Sequence, residues 1–456
     1  MEDFTLVIFG ITSNLAQIKL IPTLYDLMAG KELGDKFSVV GVGRTQMDRP
    51  QFETYISQTL RAKNRHHTHS IEGAIEQKLF SHLSYLSANL TDASSYTALK
   101  QLITSKGHQN LMIYLATFPS LYGSIFTQLK QAGLTAEKAG TWTRILIEKP
   151  IGTDRTSARA MNTLLSEYFR EDQIFRLDHY LGKETIQNIL TFRFGNGFLE
   201  PLMNSEHIDH IQVTAAEDFG IGLRGSYYDQ NGAIKDVGQN HLLQMIALAT
   251  MDKPSVYNDK EITRERVKVL SHLIPDESSL VIGQYAGYTN EKDVSPKSMI
   301  ETYFSFKTML DNDRFRGVPI YIRGGKCLAR TATEISIIFK NSPNVLIYRI
   351  QPNEGIVLKI KTKKPGHTTQ LEDSYMQYCY PIGVDLPDAY EKLIVDALRG
   401  DQTFFNDANE VDAQWAFTDP LVAAKHDLTP TIYEPGSWGP ADGFDWLEPS
   451  IAFCTI

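Results

Sequence analysis

Asp178, His179, Tyr180 and Lys183 place a carboxylate, an imidazole, a phenol and an ammonium close together in Arg176-Leu177-Asp178-His179-Tyr180-Leu181-Gly182-Lys183-Glu184. Read as a helix, this stretch puts His179 and Lys183 on one face at i, i+4. With the Tyr180 hydroxyl they would form a tripod for a phosphoryl group. The alternative is a solvated helix start. A second stretch, Lys235-Asp236-Val237-Gly238-Gln239-Asn240-His241, runs into apolar Leu242-Leu243. Asp236 is placed to start a helix. His241 lies five positions on, roughly 140° around an α-helix at ~100° per residue, so the two need not touch and could meet different atoms of one small substrate. An imidazole that titrates near neutrality suits a general base for an alcohol, although a histidine beside apolar residues also reads as core. Lys149, Glu217, Lys326 and Arg330 are further candidates, each of which taken singly reads as surface charge.

The first turn of the chain has its own chemistry. Gly10-Ile11-Thr12-Ser13-Asn14-Leu15-Ala16 follows an apolar run. A glycine there lets backbone N–H groups approach an anion at a helix N-terminus. With one glycine the segment reads equally as an ordinary turn capped by Ser13 or Asn14. Arg44 closes the next apolar run, where an acidic residue would bind the ribose of NAD and an arginine would pair with the 2′-phosphate of NADP. The reading is NADP. His66-His67-Thr68-His69 lacks carboxylates or cysteines at zinc spacing and reads as a polar loop, so no metal site is expected.

These residues need elements to hold them. Phe4 to Phe9, Phe37 to Val42, Leu111 to Ala116 and Ile145 to Ile147 read as buried strands with helical stretches between, such as Ser120 to Ala132. Leu15, Ile18, Ile21, Leu24 and Met28 recur at helical spacing, with Pro22 marking a kink or a new helix. The β-then-α rhythm predicts an α/β domain with a Rossmann-like doubly wound parallel sheet and ligands at its carboxyl strand ends. Ile208 to Ala215, Ser298 to Lys307, Val318 to Arg323, Glu334 to Lys340, Asn344 to Ile350 and Gly355 to Lys363 are strand-like with short connections. They predict an α+β domain with a large, mainly antiparallel sheet, covered by helices at Gln239 to Thr250 and Asp388 to Arg399. The boundary falls at 178/179, giving domains 1–178 and 179–456, with no linker and the site expected between them.

The 456 residues suffice for two to four domains, and 42% apolar with 10% aromatic residues supply large cores. With 45 Lys+Arg against 54 Asp+Glu the net charge is −9, which argues against nucleic-acid and anionic-membrane partners. No apolar run approaches the ~18 residues of a membrane span. The N-terminus enters a strand-like run without a basic start or cleavage site. Cys327, Cys379 and Cys454 are odd in number, scattered and in no CxxC pair, which argues against a disulfide framework or a cysteine zinc site and points to a reducing, cytoplasmic setting.

Together these segments resemble the glucose-6-phosphate dehydrogenase family. The likeness is carried by Arg176 to Glu184, Glu148-Lys149-Pro150-Ile151-Gly152, Asp236 to His241, Arg316 to Lys326, Gln351 to Ile356, Tyr390 to Asp401, Glu410 to Phe417 and Tyr433 to Pro440. It covers almost the whole chain in order. It implies oxidation of D-glucose 6-phosphate to 6-phospho-D-glucono-1,5-lactone with NADP, the entry step of the pentose phosphate pathway. It also implies a homodimer or homotetramer formed through the C-terminal domain. Carried over by motif, His241 is the general base and Asp178 its carboxylate partner. His179, Tyr180 and Lys183 bind the phosphate; Lys149, Glu217, Asp236 and Lys326 bind the rest of the substrate. Gly10, Thr12, Ser13, Asn14, Leu15, Arg44 and Lys149 fall to the cofactor. The chain departs from the family in three places: Ser13-Asn14 replace a glycine and an aspartate, Phe118-Pro119 keeps one of two usual prolines, and Thr331 replaces a cation, with Arg330 one position early. The altered turn motivates a competing reading, a catalytically weak sugar-phosphate-binding paralogue. Arg44, Lys149, Lys183, Lys326 and His179 would gather a local positive field inside an acidic exterior.

Overall fold

The computed structural model describes residues 2–62, 68–380 and 386–447. His66, His67 and Cys454 lie outside the described residues. The chain forms two compact units: Met1–Gly152 with Thr156–Gly182 and Asp385–Ala408, and Thr153–Arg155 with Lys183–Val384 and Asn409–Ile456.

The first unit holds six parallel strands: β1 (Phe4–Phe9), β2 (Phe37–Gly43), β3 (Leu83–Ser87), β4 (Asn110–Leu115), β5 (Thr143–Ile147) and β6 (Ile174–Arg176). Their order is β3-β2-β1-β4-β5-β6, as the β-then-α rhythm predicts. β1, β2 and β4 are buried at every position, because helices cover both faces of a parallel sheet. The strand order reverses between β1 and β4, which puts the ends of both strands at the switch point where doubly wound sheets bind ligands. Pro22 is accommodated without a break. Ala16–Leu20 is wound as a π-helix, and Ile21–Ala29 continues as an α-helix with the proline in its first turn. The wider winding suits a residue with no N–H to give.

Helix Ala389–Arg399 corrects one expectation. Its buried Leu393, Ile394, Ala397 and Leu398 join the core of the parallel sheet with Leu24, Leu27 and Phe175 instead of covering the large sheet. A single cut at 178/179 would have left it with the C-terminal residues. An amphipathic pattern shows that a face is buried, not what buries it.

The second unit is built on a ten-stranded sheet: β7 (Ile208–Ala216), β8 (Leu273–Pro275), β9 (Val281–Tyr285), β10 (Tyr303–Leu310), β11 (Pro319–Gly325), β12 (Ala332–Phe339), β13 (Val345–Gln351), β14 (Gly355–Lys363), β15 (Leu371–Cys379) and β16 (Thr431–Tyr433). The order is β15-β14-β13-β12-β7-β11-β10-β9-β16, with β8 beside β10. Pairing is antiparallel except β7 with β11 and β9 with β16. Helices Glu184–Gly195 and Leu243–Thr250 pack against β13 and β12. Cys327 is a free thiol, whereas Cys379 is disulfide-bonded, against the expectation that the cysteines form no disulfide framework. No helix among the described residues is long and apolar enough to cross a membrane.

Candidate active site

In the first unit the turn after β1 is tied down by its neighbours. The N–H groups of Gly10 and Ile11 both donate to the Val42 carbonyl at the end of β2, at 2.8 and 3.2 Å. Gly10 has φ +84°, and a Cβ there would lie 2.4 Å from the Ala116 carbonyl oxygen, so only glycine fits. Ser13 donates its N–H to the Gly10 carbonyl (2.8 Å), and its Oγ accepts from Ala16 N–H (3.1 Å). Ser13 therefore caps the helix. Among the described residues no protein acceptor takes the backbone N–H of Thr12, Asn14 or Leu15. This leaves a cradle of donors of the kind that holds a pyrophosphate. Arg44 stands exposed immediately after β2, with no ion pair among the described residues.

Asp178 and His179 follow β6 in a tight turn, not in a helix. Leu181 N–H donates to the Asp178 carbonyl (3.0 Å) and Gly182 N–H to that of His179 (3.2 Å), while Asp178 Oδ1 accepts from Tyr180 N–H at 3.0 Å. The i, i+4 reading of His179 and Lys183 is corrected accordingly; the helix starts only at Glu184, after Lys183. A glycine at 182 is required because a Cβ would sit 2.4 Å from the Ala389 carbonyl oxygen.

The sequence reading missed Tyr390 and Tyr114. The Tyr390 ring lies nearly parallel to that of His179, 6.3 Å between centroids at 12°. The Tyr114 and Tyr390 hydroxyls both donate to the Glu148 carboxylate, next to Lys149. Burial raises the Glu148 pKa, and the two hydroxyls and the Lys149 charge oppose that rise. Lys19 is held at 2.9 Å from Asp388, just ahead of the same helix. The capping pattern of Asp388 and Glu391 marks that helix in the sequence, but nothing local says that its tyrosine reaches Glu148.

In the second unit, parallel pairing does what sequence spacing could not. β7 and β11 run side by side with Ala216 opposite Gly325, so the residues after them, Glu217 and Lys326, meet as an ion pair. Lys326 is buried and lies 5.4 Å above the rings of Phe219 and Tyr228. Arg330 instead lies over the Trp438 ring at 5.7 Å, next to Arg323, which is set between Trp438 and Trp446. Thr331 bonds to Asp218.

Asp236 and His241 are both buried, 5% and 2% exposed. They lie on a π-helical stretch, Ile234–Leu242, rather than at an α-helix start. With i→i+5 bonding a turn holds more than four residues, so Asp236 and His241, five apart, fall toward one side of the helix instead of the roughly 140° apart that an α-helix would give. The ~140° offset of an α-helix is corrected by the wider winding. Arg224, unsuspected from sequence, donates to Asp236 Oδ1 at 2.8 Å. Asn240 Oδ1 accepts from His241 N–H at 2.7 Å.

A parallel sheet of this order with a glycine turn at its reversal is the arrangement of a dinucleotide-binding domain, here joined to an α+β unit that carries a buried histidine. Residues 7–188 match the NAD binding domain of glucose-6-phosphate dehydrogenase, and residues 190–451 match the C-terminal domain of the same enzyme. The chain belongs to the glucose-6-phosphate dehydrogenase family. It is 40% identical to the glucose-6-phosphate 1-dehydrogenase of Aggregatibacter actinomycetemcomitans, over 98% of each chain. The crystal structure of glucose-6-phosphate 1-dehydrogenase from Mycobacterium avium superposes with a TM-score of 0.90 at 31% identity, covering 99% of this chain and 100% of that one. A glucose-6-phosphate dehydrogenase in complex with its substrate glucose 6-phosphate is similar to the same degree, with a TM-score of 0.90 and 31% identity over 98% of this chain and 99% of that one.

Proposed function

We propose that this dehydrogenase oxidises D-glucose 6-phosphate at C1, releasing 6-phospho-D-glucono-1,5-lactone, and passes the hydride to NADP. The observation that carries the reading is the buried His241 imidazole sharing one helix face with Asp236, in a chain of this family. His241 takes the C1 hydroxyl proton. Asp178 orients the imidazole and stabilises its protonated form, as carboxylates do in other histidine–carboxylate pairs. His179, Tyr180 and Lys183 hold the phosphoryl group. Lys149, Glu217, Asp236 and Lys326 hold the sugar, with Arg330 at its margin.

NADP, when bound, supplies the nicotinamide that accepts the hydride. Gly10, Thr12, Ser13, Asn14 and Leu15 would cradle its pyrophosphate, with Lys149 also on the cofactor side. Arg44 would pair with its 2′-phosphate, since no carboxylate stands at that strand end to bind a free ribose hydroxyl. The departures at Ser13 and Asn14 leave the donors of the cradle in place.

Reduced-nicotinamide absorbance with glucose 6-phosphate and either cofactor tests this directly. Faster turnover with NADP is expected. Sugar-phosphate binding without turnover on either cofactor would overturn the reading. His241→Asn is expected to lower kcat by about 10²–10⁴-fold with substrate binding largely kept. Lys183→Ala is expected to raise KM, because it removes a contact made in ground and transition states alike.

We further propose a homodimer or homotetramer formed through the C-terminal sheet, supported by the edge strand β15, which exposes Leu371, Tyr375, Met376 and Tyr378. Light scattering that shows a monomer at working concentration would rule it out. Substrate and cofactor are both phosphorylated and do not cross membranes unaided, which supports a cytoplasmic placement; cell fractionation checks it.

A further inference from the structure

The turn that carries Asp236 and His241 begins at a break. Helix Gly225–Ala233 is interrupted at Gly232, whose φ of 71° and ψ of 178° lie outside the helical region. The helix restarts at Ala233, and its first N–H groups need acceptors from elsewhere. One residue supplies both. Ala233 N–H donates to the Glu301 carbonyl at 3.1 Å, and Ile234 N–H donates to Glu301 Oε1 at 3.0 Å. Glu301 is fully buried, and its other oxygen accepts from Lys425 Nζ at 2.7 Å. A carboxylate at this end also meets the positive pole of the helix. The glycine makes the approach possible, because a Cβ at 232 would lie 2.3 Å from Glu301 Oε1.

The π winding begins at Ile234, the residue whose N–H the carboxylate fixes. The phase of the turn is therefore set where Glu301 holds it. An α-wound turn from the same start would carry His241 away from the face of Asp236. We propose that Glu301, held by Lys425, is a positioning residue that fixes the winding and phase of 234–242 so that Asp236 and His241 face together. The inference rests on the reading of His241 as the base.

Three variants test it: Glu301→Leu, Glu301→Gln, and Glu301→Gln combined with Lys425→Met. Glu301→Leu is expected to lower kcat by about 10²-fold, the effect of a small misplacement of catalytic groups. The KM for NADP should stay within about twofold, because the cofactor cradle is untouched. Backbone amides of 234–242 should exchange hydrogen faster than in the unaltered enzyme. Glu301→Gln strands the Lys425 ammonium and should lose turnover, while the double variant, which keeps the acceptor and removes the stranded charge, should recover most of it. A lowered Tm with unchanged kcat per folded molecule would show a purely structural role and overturn the proposal. Unchanged exchange across 234–242 in Glu301→Leu would do the same. Should the leucine variant not fold, equal turnover in the glutamine single and double variants decides against it. The exchange measurement needs no turnover, so a failure of the base assignment, seen as normal activity in His241→Asn, is told apart from a failure of this one.

Discussion

The turn after β1 and the turn before His241 face the same physical problem, a helix that starts with N–H groups lacking intrahelical acceptors. They solve it at different range. After β1 the acceptor is the Ser13 hydroxyl, three residues from the Ala16 N–H it takes. Before His241 the acceptor is Glu301, 67 residues from Ile234 and held by a lysine 124 residues further on. A local cap holds one turn and leaves neighbouring N–H groups for a ligand. A remote, buried, charged cap ties the start of a helix to the segment that leads into β10. The glycine turn after β1 is thus organised by short-range chemistry, and the turn that carries His241 by long-range chemistry.

Substitutions can break this contrast, starting with the largest effect. Gly10→Ala forces a Cβ against the Ala116 carbonyl in a left-handed conformation, and should cost about 3 kcal/mol in urea denaturation together with most cofactor affinity. An alanine variant of normal stability would show that the switch-point turn is not as tight as described. Next comes the remote side. Arg224→Met leaves the buried Asp236 carboxylate without its guanidinium, and the KM for glucose 6-phosphate should rise by about tenfold, equivalent to ~1.4 kcal/mol. Arg224 is half exposed, so a larger effect is not expected. An unchanged KM would remove Asp236 from the sugar contacts. The smallest effect belongs to the local cap. Ser13→Ala should cost about 1 kcal/mol of stability and Ser13→Gly only a few tenths. If Ser13→Ala proved as damaging as Glu301→Leu, the distinction between local and remote caps would fall.

Legibility in the sequence followed the same division of range. Buried strands such as Phe4–Phe9 and Asn110–Leu115 announce themselves as apolar runs because both faces of the sheet are covered. β3, only half-buried at the sheet edge, and the three-residue β16 carry no such run. The motif from Arg176 to Glu184 was visible, but its helical reading failed, because Asp178 bonds locally to the Tyr180 N–H and turns the chain. Asp236 and His241 were visible as types, while their shared face was hidden by the π winding. Arg224, Glu301 and Tyr390 look like surface or filler residues until their partners are known.

What the chain carries in its residues alone is the order of strands and helices, the glycine that a tight turn demands, the cap at Ser13 and the types of group available for proton transfer and phosphate binding. Each depends on neighbours within a turn or two, where covalent geometry already limits the choices. Which of those groups meet was settled by packing. Glu217 finds Lys326 because two parallel strands end in register, Glu148 finds Tyr390 because a late helix folds back onto the first sheet, and Asp236 finds the face of His241 because a distant buried carboxylate holds the start of their turn. These pairings join residues far apart in the sequence, or depend on one that is, and only the folded sheets bring them within hydrogen-bonding range.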